Sequence, residues 1–232
     1  MNKGTLIGIG VGPGDPELMT LKAVRMIREN KIMAIPGKSA GETVAYSIAL
    51  QAVPELKNKT ILPLHLPMAR DMDRLAKSHQ RAAAIIEAHL AQGENVVFLT
   101  LGDPSVYSTF SYIRKLVSED GYTTETVSGI TSFCAAAAAA NISLGGREES
   151  IHIFPAAYEK ALEFEGGNTR IFMKSGKRMR QIKEMLRDKK KEVTMVENCG
   201  MENEKIYRSL DDIPDESGYF SVIIARDQEC SF

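Results

Sequence analysis

The stretch Leu99–Phe110, L-T-L-G-D-P-S-V-Y-S-T-F, holds the side chain best placed to do chemistry, Asp103. An apolar run, Asn95–Leu101, stops at Gly102-Asp103-Pro104, and a helical pattern resumes from about Ser108. This reads as a strand that delivers a carboxylate to a loop at its carboxyl end, where open α/β sheets bind their ligands. Gly102 permits a sharp turn or a close ligand approach, and Pro104 stiffens the loop. A carboxylate there can accept a proton as a general base, or it can hold the loop or a cofactor by hydrogen bonds. A Gly-Asp-Pro turn that merely ends a strand is the plain alternative.

Other chemistries find less support. Cys134, Cys199 and Cys230 are odd in number and far apart, which suggests neither a disulfide framework nor a zinc site. His65, His79, His89 and His152 show no ligand spacing; His79 and His89 are expected to be solvated on one polar helix, and His65 to be an exposed loop histidine. Gly8, Gly10, Gly12 and Gly14 alternate, but Pro13 stands where G-x-G-x-x-G needs its last glycine. Pro13 and Pro16 also lack the N–H groups that a phosphate cradle requires. Gly37-Lys38-Ser39 is no Walker loop, because Ile32 takes the place of its first glycine. Phosphate is disfavoured, whereas a flat, largely apolar ligand edge still fits the loop at Gly12.

The elements that must position these residues follow from punctuation and periodicity. A strand at Gly4–Gly10 precedes a helix from Glu17 to about Glu29, with Leu18, Leu21, Val24 and Ile27 as its apolar stripe. Ile32–Ile35 is a strand, Glu42–Ala52 a helix and Thr60–Leu62 a short strand; the proline-rich stretch Leu64–Asp71 is a loop. A long helix runs from Asp71 to Gln92 with Gly93 as terminator, and after the central strand Tyr112–Ser118 is helical. Strand–helix alternation indicates a parallel sheet covered by helices. A boundary near Ser118–Gly121 gives two α/β domains, 1–118 with a mainly parallel sheet and 119–232 with a mixed one. The second half opens on a strand at Thr124–Val127, then the loop Ser128–Ser132 and a helix with six consecutive alanines, whose backbone can approach a neighbour closely. Further strands are expected at Ser150–Phe154, Arg170–Lys174, Val193–Glu197 and Tyr219–Ala225, with a basic, surface-facing helix from Lys177 to about Lys190.

The 232 residues carry a net charge of −1, with 44% apolar and 25% charged residues, so no basic excess argues for nucleic acid. No apolar run approaches the roughly 18 residues of a membrane span. The opening M-N-K-G-T-L-I-G-I-G is expected not to be a signal peptide, and a cytoplasmic protein with reduced thiols is expected.

Four stretches taken in order, V-G-P-G-D-P-E-L-M-T-L-K-A, L-T-L-G-D-P-S-V-Y-S-T-F, V-S-G-I-T-S-F-C-A-A-A-A and I-F-M-K, resemble the tetrapyrrole methylase family across essentially the whole chain. L-P-M-A-R-D (66–71), Y-S-T-F (107–110) and G-I-T-S-F (129–133) are most similar to the enzymes that methylate carbon 20 of precorrin-2 or cobalt-factor II on the route to vitamin B12. The resemblance implies two α/β domains with S-adenosylmethionine in the cleft between them, S-adenosylhomocysteine as product, and a homodimer. Carried across by motif, Pro13, Gly102, Asp103 and Val106 line the cofactor from the first domain, and Thr131, Ser132 and Met173 from the second. Ser128 stands where the family often has proline.

Methyl transfer is an in-line displacement at a sulfonium. Its main demand is positioning, which can supply roughly 7–11 kcal/mol. The reduced tetrapyrrole's meso carbon is already electron-rich; a proton leaves it afterwards, and Asp103 is the candidate base. The carboxylates on the ring invite basic partners, for which Arg70, Arg147, Lys174 and Lys177 are candidates, and Tyr107 is a candidate to pack on the macrocycle. Alternatives within the family are methylation at another ring carbon, an rRNA ribose methylase or a diphthine synthase. Outside it stands a catalytically silent S-adenosylmethionine-binding protein.

Overall fold

The computed structural model describes residues 3–67, 71–156, 167–187, 189 and 191–227. The chain divides into two compact units, Met1–Thr131 and Ser132–Phe232. Each carries a five-stranded sheet.

In the first unit, β1 (Thr5–Gly10), β2 (Ile32–Pro36), β3 (Thr60–Leu64), β4 (Val96–Thr100) and β5 (Thr123–Val127) are all parallel, in the order β3-β2-β4-β1-β5. β4 is the middle strand with β1 beside it, and both read as near-continuous apolar runs because both sheet faces are covered. The two faces alternate strictly along the strands. Ile7, Ile9, Val97 and Leu99 pack against α1 (Leu21–Glu29) and α2 (Val44–Ala52) through Ala23, Ile27, Ile48 and Ala49. Leu6, Val96 and Phe98 pack against α3 (Met72–Leu90) and α4 (Phe110–Glu119) through Ala82, Ile86, Phe110 and Ile113. Gly8 also faces α4, and a Cβ there would lie 2.3 Å from the Phe110 ring. The missing side chain at Gly8 is the space that Phe110 fills.

The long helix begins as the sequence suggests: Asp71 caps α3 by accepting hydrogen bonds from the N–H groups of Asp73 and Arg74 at 3.0 and 3.2 Å. Four expectations differ from the structure. Pro16–Leu18 forms a separate 3-10 turn, and α1 starts at Leu21 behind the cap Thr20, whose Oγ1 accepts from the Ala23 N–H. Leu21 therefore lies at the first helical position, 90% exposed, outside the buried stripe. β3 continues through Pro63 to Leu64, because an edge strand tolerates proline. β5, expected to open the second half, pairs with β1. His79 is buried against the Tyr112 ring with centroids 5.1 Å apart, and burial pushes its pKa down. His89 instead pairs with Glu94 at 2.7 Å.

The second unit carries a mixed sheet as expected. β6 (Ile151–Pro155), β7 (Thr169–Met173), β8 (Lys191–Glu197), β9 (Lys205–Tyr207) and β10 (Ser221–Asp227) take the order β6-β7-β10-β8-β9, with β6 and β7 parallel and the other pairs antiparallel. α6 (Met179–Arg187) buries Met179, Ile182 and Leu186 among Phe172, Met195 and Ile223. The alanine helix α5 (Ser132–Ala140) packs on β8 and β10, with Ala135, Ala136, Ala137 and Ala140 buried. Among the described residues, no helix is long and apolar enough to cross a membrane.

Candidate active site

Three neighbouring parallel strands, β4, β1 and β5, run out at the same edge of the first sheet, and their loops interlock there through glycine. Gly12 and Gly102 form a backbone bridge, with the Gly102 N–H donating to the Gly12 carbonyl at 2.8 Å and the Gly12 N–H to the Gly102 carbonyl at 3.3 Å. Both have positive φ, +76° and +69°, where a side chain would be strained. Gly10 and Gly129 are glycine for a different reason, close approach. A Cβ on Gly129 would lie 2.2 Å from the Gly102 carbonyl oxygen, and one on Gly10 would lie 2.5 Å from that same atom. Gly8, Gly10 and Gly12 of the alternating run are thus a packing device, each removing a particular collision or strain.

Asp103 ties this arrangement together. One carboxylate oxygen accepts from the Ser105 N–H at 2.8 Å and from the Ser105 hydroxyl; the other accepts from the Gly129 N–H at 2.9 Å. The first pair is an Asx-type turn within the β4 loop, and the second joins that loop to the one after β5. Burial of this 8%-exposed residue pushes its pKa up, but the bonds from Ser105 and Gly129 outweigh it and hold the carboxyl below the usual aspartate value. Asp103 is an ionised anchor for two loops. Ser108, buried two residues before α4, shares a 2.9 Å hydrogen bond with Thr100 and accepts from the Phe110 N–H at 3.2 Å, fixing the far end of the loop. Between these anchors Tyr107 adopts φ +47° and is 46% exposed.

The first unit thus brings Pro13, Gly102, Asp103 and Val106 together: Pro13 is buried directly after the Gly12 bridge, and the Val106 N–H donates to the Asp103 carbonyl at 3.2 Å. Thr131 follows two residues after Gly129, and its Oγ1 is buried without a hydrogen-bond partner among the described residues. In the second unit Ser132 starts α5 and Met173 ends β7, 9% exposed. Lys174 follows with φ +61°, its ammonium 5.7 Å from the Tyr219 ring centre. Arg147 is exposed between α5 and β6. Arg70 and the side chain of Lys177 lie outside the described residues. Sequence reasoning missed Gly10, Ser105, Ser108 and Gly129 as site-forming groups. The Asp103-x-Ser105 spacing is an Asx-turn signal for one of them, whereas Gly10 and Gly129 meet only through tertiary pairing.

At this edge the buried Thr131 hydroxyl, without a partner among the described residues, can offer a ligand a hydrogen bond. No group of three or more His, Cys, Asp or Glu side chains among the described residues is placed to hold a metal ion.

Comparison with known proteins matches residues 5–214 to the profile of the tetrapyrrole (corrin/porphyrin) methylases. A probable cobalt-precorrin-2 C(20)-methyltransferase of Methanocaldococcus jannaschii is 34% identical over 224 residues, 94% of each chain. The cobalt-precorrin-2 C(20)-methyltransferase of Salmonella typhimurium is 28% identical over 234 residues, 97% of each chain. Among solved structures, uroporphyrin-III C-methyl transferase from Thermus thermophilus, complexed with S-adenosylhomocysteine, superposes with a TM-score of 0.71 at 21% identity, covering 96% of this chain and 97% of that one.

Proposed function

Since the chain belongs to the tetrapyrrole (corrin/porphyrin) methylases, we propose that it transfers a methyl group from S-adenosylmethionine to carbon 20 of precorrin-2 or its cobalt-containing counterpart, in cobalamin biosynthesis. The observation that carries this reading is the 34% identity to a carbon-20 methyltransferase across 94% of both chains.

The residues present fit the cofactor. The glycines let the backbones of the β4, β1 and β5 loops meet without side chains between them, and the buried Thr131 hydroxyl has no hydrogen-bond partner among the described residues. Pro13, Gly102, Val106, Thr131, Ser132 and Met173 would hold it, largely through backbone groups. Bound there, S-adenosylmethionine supplies an electrophilic methyl group on a sulfonium. The chain's contribution is preorganisation: Asp103, Ser105 and Ser108 lock the β4 loop before any ligand arrives, so that little reorganisation is left for the reaction.

Asp103 is assigned here as a positioning residue. Three hydrogen bonds occupy its oxygens and its pKa is lowered, both of which weaken it as a proton acceptor. Methyl transfer itself needs no base, because attack by the electron-rich meso carbon precedes loss of the proton. Tyr107 packs on the macrocycle in this reading, while Arg70, Arg147, Lys174 and Lys177 bind its carboxylates. A cytoplasmic homodimer is the working form proposed, on the family resemblance and the expectation of reduced thiols. Calorimetry with S-adenosylhomocysteine, followed by mass spectrometry of products from precorrin-2 and cobalt-factor II offered in parallel, tests the function. Tight NAD or ATP binding in place of S-adenosylhomocysteine, or product methylated elsewhere on the ring, would overturn it.

A further inference from the structure

The first unit has a second concave feature at the carboxyl edge of its sheet, away from the glycine loops. A groove of about 630 Å³ runs between the end of β3 with the segment after it, through Pro63, His65 and Pro67, and one stripe of α3. Arg74, Lys77 and Arg81 line it, spaced three and four residues apart so that they share a helix face. None of the three forms an ion pair with another described residue. Two carboxylates also face the groove. Asp71 caps α3 and keeps its charge, so three cations stand against two carboxylates and the groove is left with a net positive charge. Pro63, Ala82 and Ile85 give an apolar wall beneath the charges.

Topology relates this groove to the glycine loops. The strands are parallel, so the carboxyl ends of β3 and β4 lie on the same edge, and only β2 separates them. Two strand spacings are about 10 Å. A ligand seated at the β4 loop that extends sideways along the sheet edge passes β2 and reaches the β3 segment. A macrocycle with acidic arms is wider than that separation, and its rim would meet an apolar wall and three cations that have no ion-pair partner among the described residues.

We propose that this groove seats part of the carboxylate-bearing rim of the tetrapyrrole, with Arg74, Lys77 and Arg81 as substrate-binding residues. The inference rests on the function proposed above. None of the three residues carries a signal in the linear sequence, where they read as the solvated face of a polar helix.

The test is the triple variant Arg74→Ala/Lys77→Ala/Arg81→Ala, compared with Arg25→Ala/Arg114→Ala, which removes exposed charge elsewhere on the same unit. All five positions are exposed and helical, so folding is expected to survive, and circular dichroism checks it. Binding of uroporphyrin, a stable polycarboxylate ring, is titrated by fluorescence at several salt concentrations, and KM and kcat are measured with precorrin-2. Three solvent-exposed charge contacts together are worth about tenfold in affinity. The triple variant should therefore raise the uroporphyrin Kd and the precorrin-2 KM about tenfold, with a shallower salt dependence. Its kcat should stay within about threefold, and S-adenosylhomocysteine affinity should be unchanged. Porphyrin Kd, KM and salt slope equal to the parent's would overturn the proposal, as would an equal effect from the Arg25/Arg114 variant. Failure of the parent to bind S-adenosylhomocysteine would refute the proposed function, while the porphyrin titration would still decide whether the groove binds the ring.

Discussion

Replacing Asp103 with asparagine separates an anchor from a base. Asparagine offers one carbonyl oxygen and one NH2 group. If the oxygen keeps the two bonds from Ser105, the amide NH2 faces the Gly129 N–H, donor against donor, where the carboxylate now accepts at 2.9 Å. If the amide flips, the Ser105 bonds at the other oxygen are lost instead. Either way a part-buried polar group is left unpaired, at a cost of about 1–2 kcal/mol. For a chain of this size that lowers the melting midpoint by roughly 2–8 °C, and loosening the loop weakens cofactor binding by about tenfold at 1.4 kcal/mol per decade. The rate of single-turnover methylation at saturating S-adenosylmethionine should then stay within about threefold of the parent. A general base would behave in the opposite way, with a loss of about 10²–10⁴-fold in that rate and unchanged melting and cofactor affinity. That pattern would refute the anchoring role. Calorimetry, thermal melts and rapid-quench methylation on one preparation decide between them.

Gly129→Ala places a methyl group 2.2 Å from the Gly102 carbonyl and 2.8 Å from the Gly10 backbone; with backbone on both sides and about 3 kcal/mol of overpacking, a fall in melting midpoint of roughly 6–12 °C is expected, with S-adenosylhomocysteine binding lost. Gly8→Ala should cost about 1–3 kcal/mol by colliding with Phe110, and combining it with Phe110→Leu should cost less than the two single changes added, a coupling readable from denaturation of the four proteins in the cycle. Glu87 on α3 has its pKa raised, first by burial and then by the charge and hydrogen bond of Asp120. A raised carboxyl contributes stability that is full below the unfolded carboxylate pKa and lost as pH rises through the folded value. Glu87→Gln, which mimics the protonated form, should therefore match the parent near about pH 4 and melt higher at pH 7–8; equal melting curves at both pH values would contradict this.

The sequence made visible what is encoded within a few residues. The glycine–proline punctuation at Gly102-Asp103-Pro104 located the end of the central strand, and Asp71 and Gly93 marked the ends of α3, where Gly93 has φ +81°. Leu21 was misread because its apolar character fits a 3.6-residue stripe, while the cap at Thr20 and the turn at Pro16 shift where the helix begins. β9 went unread because Lys205–Tyr207 is too short and polar to give an alternating pattern. The role of Asp103 was open for a deeper reason. A carboxylate in a strand-end loop is chemically the same group whether free or satisfied, and the N–H that satisfies it comes from Gly129, far away in the chain. Groups that meet only through parallel pairing leave no local trace.

The interior position of β1 also has a consequence for synthesis. Leu6 pairs with Val96 on one side, and Thr5 pairs with Thr123 on the other. At roughly 5–20 residues per second, β1 leaves the ribosome on the order of five to twenty seconds before β4 exists to receive it. During that interval Leu6, Ile7 and Ile9, wholly buried or nearly so in the folded state, have no native strand on either side. Parallel sheets closed by such distant pairs fold slowly and expose unpaired edges while they wait. An apolar strand left without either neighbour is thus open to aggregation during synthesis, and chaperone capture of ribosome-bound chains should peak just before residues 96–100 emerge and fall once they have.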